Sequence, residues 1–340
     1  MTKIDVVSGF LGAGKTTLIK KLLKEALEGS KTVLIENEFG EIGIDGGFLK
    51  EAGIEIKEMN SGCICCSLVG DFGASLKEVI ETYSPERILI EPSGVGKLSD
   101  VLKAVENVAA DLDVQVNSAV AVVDASKAKM YIRNFGEFFI NQVAYAGTII
   151  LSRTDKVKEE KLQECVALIR QHNDKATVIT TPLAQLDGKD VLETIEGADS
   201  LAEMMREMLE HAKEEHEHHH HDGECGCHHH DEEHGHHHHD GEHEHHHHHA
   251  DEIFTSWGIE TPRKFTAEEL EGALAALSDS ETYGTVLRAK GIVAGTDGSF
   301  LHFDFVPEEK NVRIGSSIVM GRLCVIGSHI NEEALKKLFA

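Results

Sequence analysis

Residues Gly9 to Thr16 read GFLGAGKT and meet the spacing G-x-x-x-x-G-K-[ST] in full. Glycines at these positions let backbone N–H groups curl around phosphates, and a following helix N-terminus adds partial positive charge. Lys15 has the type and position to reach the β- and γ-phosphates, and the Thr16 hydroxyl to ligate Mg²⁺. Nucleotide contacts are therefore expected from Gly9, Gly12, Ala13, Gly14, Lys15, Thr16 and Thr17. A Mg²⁺-assisted triphosphatase also needs an acidic group at a strand end. Glu91, closing Arg87-Ile88-Leu89-Ile90, supplies it, and Gly94 in the Pro-Ser-Gly that follows offers an N–H to the γ-phosphate. Lys15, Thr16 and Glu91 form the expected catalytic set.

Base recognition is expected after a later strand. Ser152-Arg153-Thr154-Asp155 resembles the N-K-x-D guanine-reading element of GTPases, with Ser for Asn and Arg for Lys. Asp155 would accept two hydrogen bonds that guanine offers and adenine does not, and Arg153 would stack its planar guanidinium on the base. GTP is thus favoured over ATP.

Two further groups suit metal. Cys63, Cys65 and Cys66 lie within four residues beside Gly62, and thiolates select Zn²⁺, Cu(I) or, less readily, Ni²⁺ and Co²⁺. Residues 216–249 hold 19 of the 23 histidines, together with Cys225 and Cys227. Cys225, Cys227 and the adjoining His228, His229 and His230 are candidate ligands for Zn²⁺, Ni²⁺ or Co²⁺. Residues 211–252 also carry 13 acidic side chains and one Lys, a net −12 of the chain's −26. This stretch has too few apolar residues to offset its ordering entropy, so it reads as a flexible acidic tether that collects cations. Cys165 and Cys324 stand alone in apolar contexts.

The elements that must position these residues follow from the pattern. Ile4–Val7, Thr32–Ile35, Arg87–Ile90, Ala119–Val123, Thr148–Leu151 and Thr177–Ile179 are Val/Ile-rich runs expected as strands buried on both faces. Amphipathic segments at Thr16–Leu27, Phe72–Tyr83, Leu98–Val108 and Glu159–Gln171 alternate with them. This predicts an α/β fold: a mostly parallel P-loop NTPase sheet with helices on both faces. After the tether, strands at Val286–Val293, Phe300–Val306, Asn311–Ile314 and Leu323–Gly327 predict a small α+β domain. Its helices are expected at Phe265–Leu277, opened by a Thr266/Glu269 capping box, and at Asn331–Phe339. The expected organisation is a GTPase domain at 1–210, the linker at 211–252 and a C-terminal domain at 253–340.

GFLGAGKTT, ENEFGEIGID (Glu36 to Asp45), GCICC (Gly62 to Cys66) and EPSG (Glu91 to Gly94) together resemble the CobW-type GTPases, relatives of the HypB and UreG nickel chaperones. The resemblance covers about 1–180 and resumes at Arg288-Ala289-Lys290-Gly291 and Leu323–Gly327. It implies an internal metal site at Cys63, Cys65 and Cys66. Glu36 and Glu41 are then either carboxylate ligands or parts of a Mg²⁺-linked or simply solvated switch. It also implies a client metalloprotein or metal-cofactor biosynthesis enzyme as partner, and a homodimer that depends on nucleotide or metal. Gly147 stands where the family usually has Asp.

A net charge of −26 argues against nucleic acid and anionic lipid as partners. No apolar run reaches bilayer-spanning length, and the N-terminus lacks a signal-peptide pattern, so a soluble cytoplasmic protein is expected. The function expected is a GTP-hydrolysing metallochaperone, with zinc first and nickel or cobalt as alternatives. A metal store with a regulatory nucleotide site is the competing reading, and a P-loop kinase the third.

Overall fold

Runs of Val, Ile and Leu too apolar to face water pair into one parallel sheet, which the more polar strand Glu55–Met59 extends at one edge. In chain order its strands are β1 (Thr2–Ser8), β2 (Thr32–Asn37), β3 (Glu55–Met59), β4 (Arg87–Glu91), β5 (Val114–Asp124), β6 (Thr148–Ser152) and β7 (Thr177–Ile179). Their spatial order is β3-β2-β4-β1-β5-β6-β7, with every neighbouring pair parallel. The computed structural model describes residues 1–37, 55–59, 69–109, 112–197, 253–315 and 321–340. The Cys63–Cys66 cluster, Glu41, and Cys225, Cys227 and His228–His230 lie outside the described residues.

Helices cover both faces. α1 (Lys15–Glu25) and α6 (Gly188–Glu196) pack on one side, where Leu18, Leu22, Val191 and Ile195 meet Val7, Leu89, Val120 and Ile150. α2 (Val69–Tyr83), α3 (Leu98–Ala109), α4 (Ala128–Ala144) and α5 (Glu159–Arg170) cover the other. Alternate residues of the same strands feed the two cores: Ile4 and Val6 face one, Val7 the other. β1 is central, with β4 on one side and β5 on the other. It is the point where strand order reverses, and ligands in open α/β sheets bind outside the strand ends at such a point.

The C-terminal residues form a second sheet in the order β12-β11-β10-β13-β8, antiparallel throughout, with β9 paired parallel to β10. Its strands are β8 (Thr255–Thr261), β9 (Lys264–Phe265), β10 (Thr285–Gly295), β11 (Phe300–Val306), β12 (Glu309–Ile314) and β13 (Gly321–Ser328). α7 (Ala267–Ala276), the short α8 (Ser280–Tyr283) and α9 (Glu332–Phe339) accompany it. Leu270, Leu274, Leu335 and Phe339, from α7 and α9, pack against Phe303, Phe305 and Val325. The expected capping box is present: Glu269 N–H donates to Thr266 Oγ1 at 3.1 Å, and Thr266 N–H donates to Glu269 Oε2 at 2.8 Å.

The two sheets share a core. Phe254 is 1% exposed, and its ring stands 5.1 Å from Phe138, 5.3 Å from Phe135 and 6.2 Å from Phe10. Phe10 belongs to the glycine-rich loop, so the start of the C-terminal unit is bound into the core beneath that loop. Among the described residues no helix is long and apolar enough to cross a membrane.

Candidate nucleotide and metal site

Backbone geometry shapes the loop after β1. Gly9 has φ +142°, Gly12 +69° and Gly14 +107°. A Cβ on Gly9 would lie 2.3 Å from the Val122 carbonyl oxygen, so the loop lies directly on β5. Gly14 precedes α1 in the left-handed region, and no side chain caps the helix. No acidic residue stands in its first turn. The helix N-terminus therefore presents its first-turn N–H groups to a ligand rather than to its own side chains.

Lys15, Thr16 and Glu91 converge. Thr16 Oγ1 donates toward Glu91 Oε1 and Oε2 at 3.3 and 3.4 Å, and Lys15 Nζ is 3.9 Å from Glu91 Oε1. They share a cavity of about 260 Å³ with Gly12, Gly14 and Thr17. The Pro-Ser-Gly segment after β4 is held against the loop. A Cβ on Gly94 would stand 2.9 Å from Leu11 N, which leaves room there for glycine alone. Gln142 fixes the segment from behind: its buried Nε2 donates to Gly94 O at 3.1 Å and to Gly96 O at 2.9 Å.

A second cavity of about 340 Å³ opens beside Gly14 and Thr17. It is lined by Ser152, Arg153, Asp155 and the stretch Pro182–Gln185, which sequence reasoning missed because its turn carries no nucleotide signature. Ser152 packs close under the loop, its Cβ 3.7 Å from where a Gly14 Cβ would be.

Arg153, expected to stack on the base, lines this second cavity. Its guanidinium is committed to the phosphate loop and the C-terminal sheet. It donates to Gly12 O at 3.0 Å, to Asp124 Oδ2 at 2.9 Å and to Glu309 Oε2 at 2.9 Å. Asp124, buried at the end of β5, also accepts from Ser126 N and Oγ at 2.9 and 2.6 Å. Lys156 adds a further pair to Glu309 at 3.3 Å. Partial burial alone would raise the Glu309 pKa, but Arg153 and Lys156 outweigh it and hold the carboxyl below its ordinary value.

Of the metal candidates, Glu36 is described. It is the next-to-last residue of β2 at the same sheet edge, with its Cα in register with Glu91. β3 reaches that edge too, Met59 pairing with Asn37, so the chain leaves for the cysteine segment beside Glu36 and returns at α2. Cys165, by contrast, is 3% exposed, and burial pushes its thiol up to about 11, which keeps it protonated at neutral pH. Cys324 is also buried, with Ser256 Oγ 3.3 Å away.

The C-terminal sheet contributes residues to which the sequence assigned no role at the nucleotide site. Arg288, Asp304, Glu309 and Arg313 line the phosphate cavity, and Val306 lies on the loop, 2.3 Å from where a Gly12 Cβ would be.

The chain is similar in sequence to several known proteins. Zinc chaperone YeiR of Escherichia coli (strain K12) is 29% identical over 188 residues, 55% of this chain and 57% of that one. Zinc chaperone YjiA of the same organism is 32% identical over 191 residues, 54% and 58% of the two chains. Zinc chaperone CobW of Sinorhizobium sp is 30% identical over 249 residues, 64% and 70%. The chain thus spans just under three fifths of the length of the two Escherichia coli relatives it matches. The family description "CobW/HypB/UreG, nucleotide-binding domain" matches residues 3–180, and "Cobalamin synthesis protein cobW C-terminal domain" matches 254–340. With its phosphate loop, its Glu91 strand end and both matched regions, the chain belongs to the CobW/HypB/UreG family.

Proposed function

We propose that this protein is a GTP-hydrolysing metallochaperone whose cargo is zinc, with nickel or cobalt as alternatives, and which delivers it to a client metalloprotein or a metal-cofactor biosynthesis enzyme. One observation carries the reading: Lys15, Thr16 and Glu91 meet in one cavity at the sheet edge where the chain enters and leaves the cysteine segment. The zinc-chaperone names of the relatives favour that cargo.

The donor set fits Mg²⁺. A hydroxyl and a carboxylate, part-buried and within 3.4 Å of each other, are oxygen donors of the kind a hard cation takes. Thr16 and Glu91 would hold the ion, which when bound neutralises charge on the phosphates. Lys15 binds the β- and γ-phosphates, and the uncapped α1 N-terminus binds the β-phosphate through its N–H groups. Gly94, braced by Gln142, brings the Glu91–Gly94 segment to the γ-phosphate side. Asp155 at the mouth of the second cavity reads the base, favouring GTP.

Hydrolysis then acts on metal through the chain between β2 and β4. Glu36 neighbours Glu91 in register, and the Glu41 and Cys63–Cys66 segments connect there. A γ-phosphate that orders the Glu91 segment changes the thiolate site, and its loss reverses the change. The His-rich stretch 216–249 supports metal uptake ahead of transfer and also favours the second reading, a store with a regulatory nucleotide site.

The two readings separate on a deletion of residues 214–251. A chaperone retains zinc-stimulated GTP hydrolysis, whereas a store loses most of its metal capacity and shows no stimulation. Transfer of the γ-phosphate to an acceptor instead of water would make the protein a kinase and refute both.

A further inference from the structure

The phosphate cavity has two walls. One is the loop, α1 and Glu91; the other is the polar face of the C-terminal sheet. Cross-strand partners share a sheet face. Asp304 pairs with Asn311 and Val306 with Glu309 across β11 and β12, and His302 pairs with Arg313. Arg288, on β10, lies 3.7 Å from Asp304 Oδ1. These residues therefore stand on one face, opposite the Phe303 and Phe305 side that packs on α7 and α9. Val306 presses on Gly12, and Glu309 pairs with Arg153, which itself donates to Gly12 O. The sheet is fastened to the loop at both points.

Between those fastenings, among the described residues, the cavity lining holds five basic and three acidic side chains. That excess stands out in a chain of net charge −26. One carboxylate, Asp304, is shared by two guanidiniums: Arg313 Nη1 at 3.0 Å and Arg288 Nη2 at 3.7 Å. Neither arginine lines the base cavity. Both lie in the cavity that holds Lys15, Thr16 and Glu91, which marks the β- and γ-phosphate end. Guanidinium forks suit phosphate oxygens, and an arginine already turned into the cavity by a carboxylate reorganises little on binding.

We propose that the nucleotide site is built from both domains, with Arg288 and Arg313 of the C-terminal sheet binding the terminal phosphate of the triphosphate and Asp304 holding them when that phosphate is absent. This rests on the nucleotide reading above and adds to it. Loss of the γ-phosphate returns both arginines to Asp304, so the C-terminal sheet senses which nucleotide is bound.

Calorimetric titration of the full chain with GDP and with a non-hydrolysable GTP analogue tests the proposal. Arg288→Ala and Arg313→Ala should each weaken the analogue by about 10-fold or more, the scale of a lost charge-assisted contact, and GDP by under about 3-fold. Arg313→Lys keeps charge but not the fork and should fall between wild type and Arg313→Ala. It carries the test if Arg313→Ala does not fold. Asp304→Asn should tighten the analogue and leave GDP unchanged. Equal losses for GDP and analogue, or an analogue affinity within about 2-fold of wild type for both arginine variants, would overturn the proposal. Lys15→Ala separates the underlying reading: it must weaken both nucleotides. If the wild-type chain binds neither, the nucleotide reading itself fails, not merely the role of the arginines.

Discussion

Gly12→Ala examines the contact on which the two-walled cavity depends. Gly12 has φ +69°, where an alanine costs ~1–2 kcal/mol. Its new Cβ would lie 2.3 Å from Val306 Cγ1 and 3.3 Å from Val306 Cβ. Val306 is 8% exposed and β-branched, so it has little rotamer freedom with which to retreat. Relieving the overlap adds ~1–3 kcal/mol, as overpacking does elsewhere, for a total of ~2–5 kcal/mol. Val306→Ala removes the obstructing methyl and restores the overlap part but not the backbone part. The two substitutions should therefore couple by at least ~1 kcal/mol in a double-mutant cycle. Urea unfolding followed by fluorescence is the assay. The single tryptophan, Trp257, stands on β8 in the C-terminal sheet and reports on the unit in question. GDP affinity, measured alongside, reports on the loop. Additivity within ~0.5 kcal/mol would mean that the C-terminal sheet does not rest on the loop, and would refute the reasoning.

Further outcomes follow from the same contacts. Gln142→Leu leaves the Gly94 and Gly96 carbonyls without their shared donor. It should cost ~1–3 kcal/mol in stability and raise the KM for GTP, read by urea unfolding and steady-state kinetics. Glu309 and Glu196 both have pKa values held below the ordinary 4.5, so folding makes each a stronger acid than in the unfolded chain. Their stabilising contribution is present above about pH 4.5 and lost as pH falls through the lower folded values. Glu309→Gln should flatten that acid limb in a melting-temperature profile against pH. Cys165, with its thiol pushed up to about 11, should resist iodoacetamide at pH 7 in the folded chain and react only on denaturation. Mass spectrometry of the alkylated protein decides it.

Much of this was legible in the sequence because local rules governed it. The strands Ile4–Val7, Arg87–Ile90 and Thr148–Leu151 extend by a residue or two at their ends, and the phosphate loop lies where its spacing demanded. The Thr266/Glu269 box opened its helix as written. What escaped reading depended on tertiary contacts. β3 (EIKEM) and β8 (TSWGIET) are too polar to declare themselves, and they form because neighbouring strands offer a ladder. α4 was hidden by the break at Phe135, φ −141° and ψ 37°, ahead of Gly136. α6 opens on Gly188, with the Asp187 side chain accepting from Lys189 N at 2.8 Å. An analogy with lysine leaves out the fork of Arg153, which reaches Gly12 and Glu309, residues that only the folded chain brings near. Arg288 lies in a family-like stretch and Arg313 in none, but neither points to the nucleotide in sequence, because their place in the cavity comes from the packing of one domain on the other.

In the mechanism we propose, the nucleotide state sets metal affinity. Zinc affinity of the full chain, measured by competition with a chromogenic chelator in the presence of GDP and of a non-hydrolysable GTP analogue, tests it most directly. To isolate the internal site, the same pair is measured after deletion of 214–251. The two affinities should differ by about 5- to 150-fold, the usual range of coupling between linked sites, and Cys65→Ala should abolish the difference. Equal zinc affinity in both nucleotide states would contradict it.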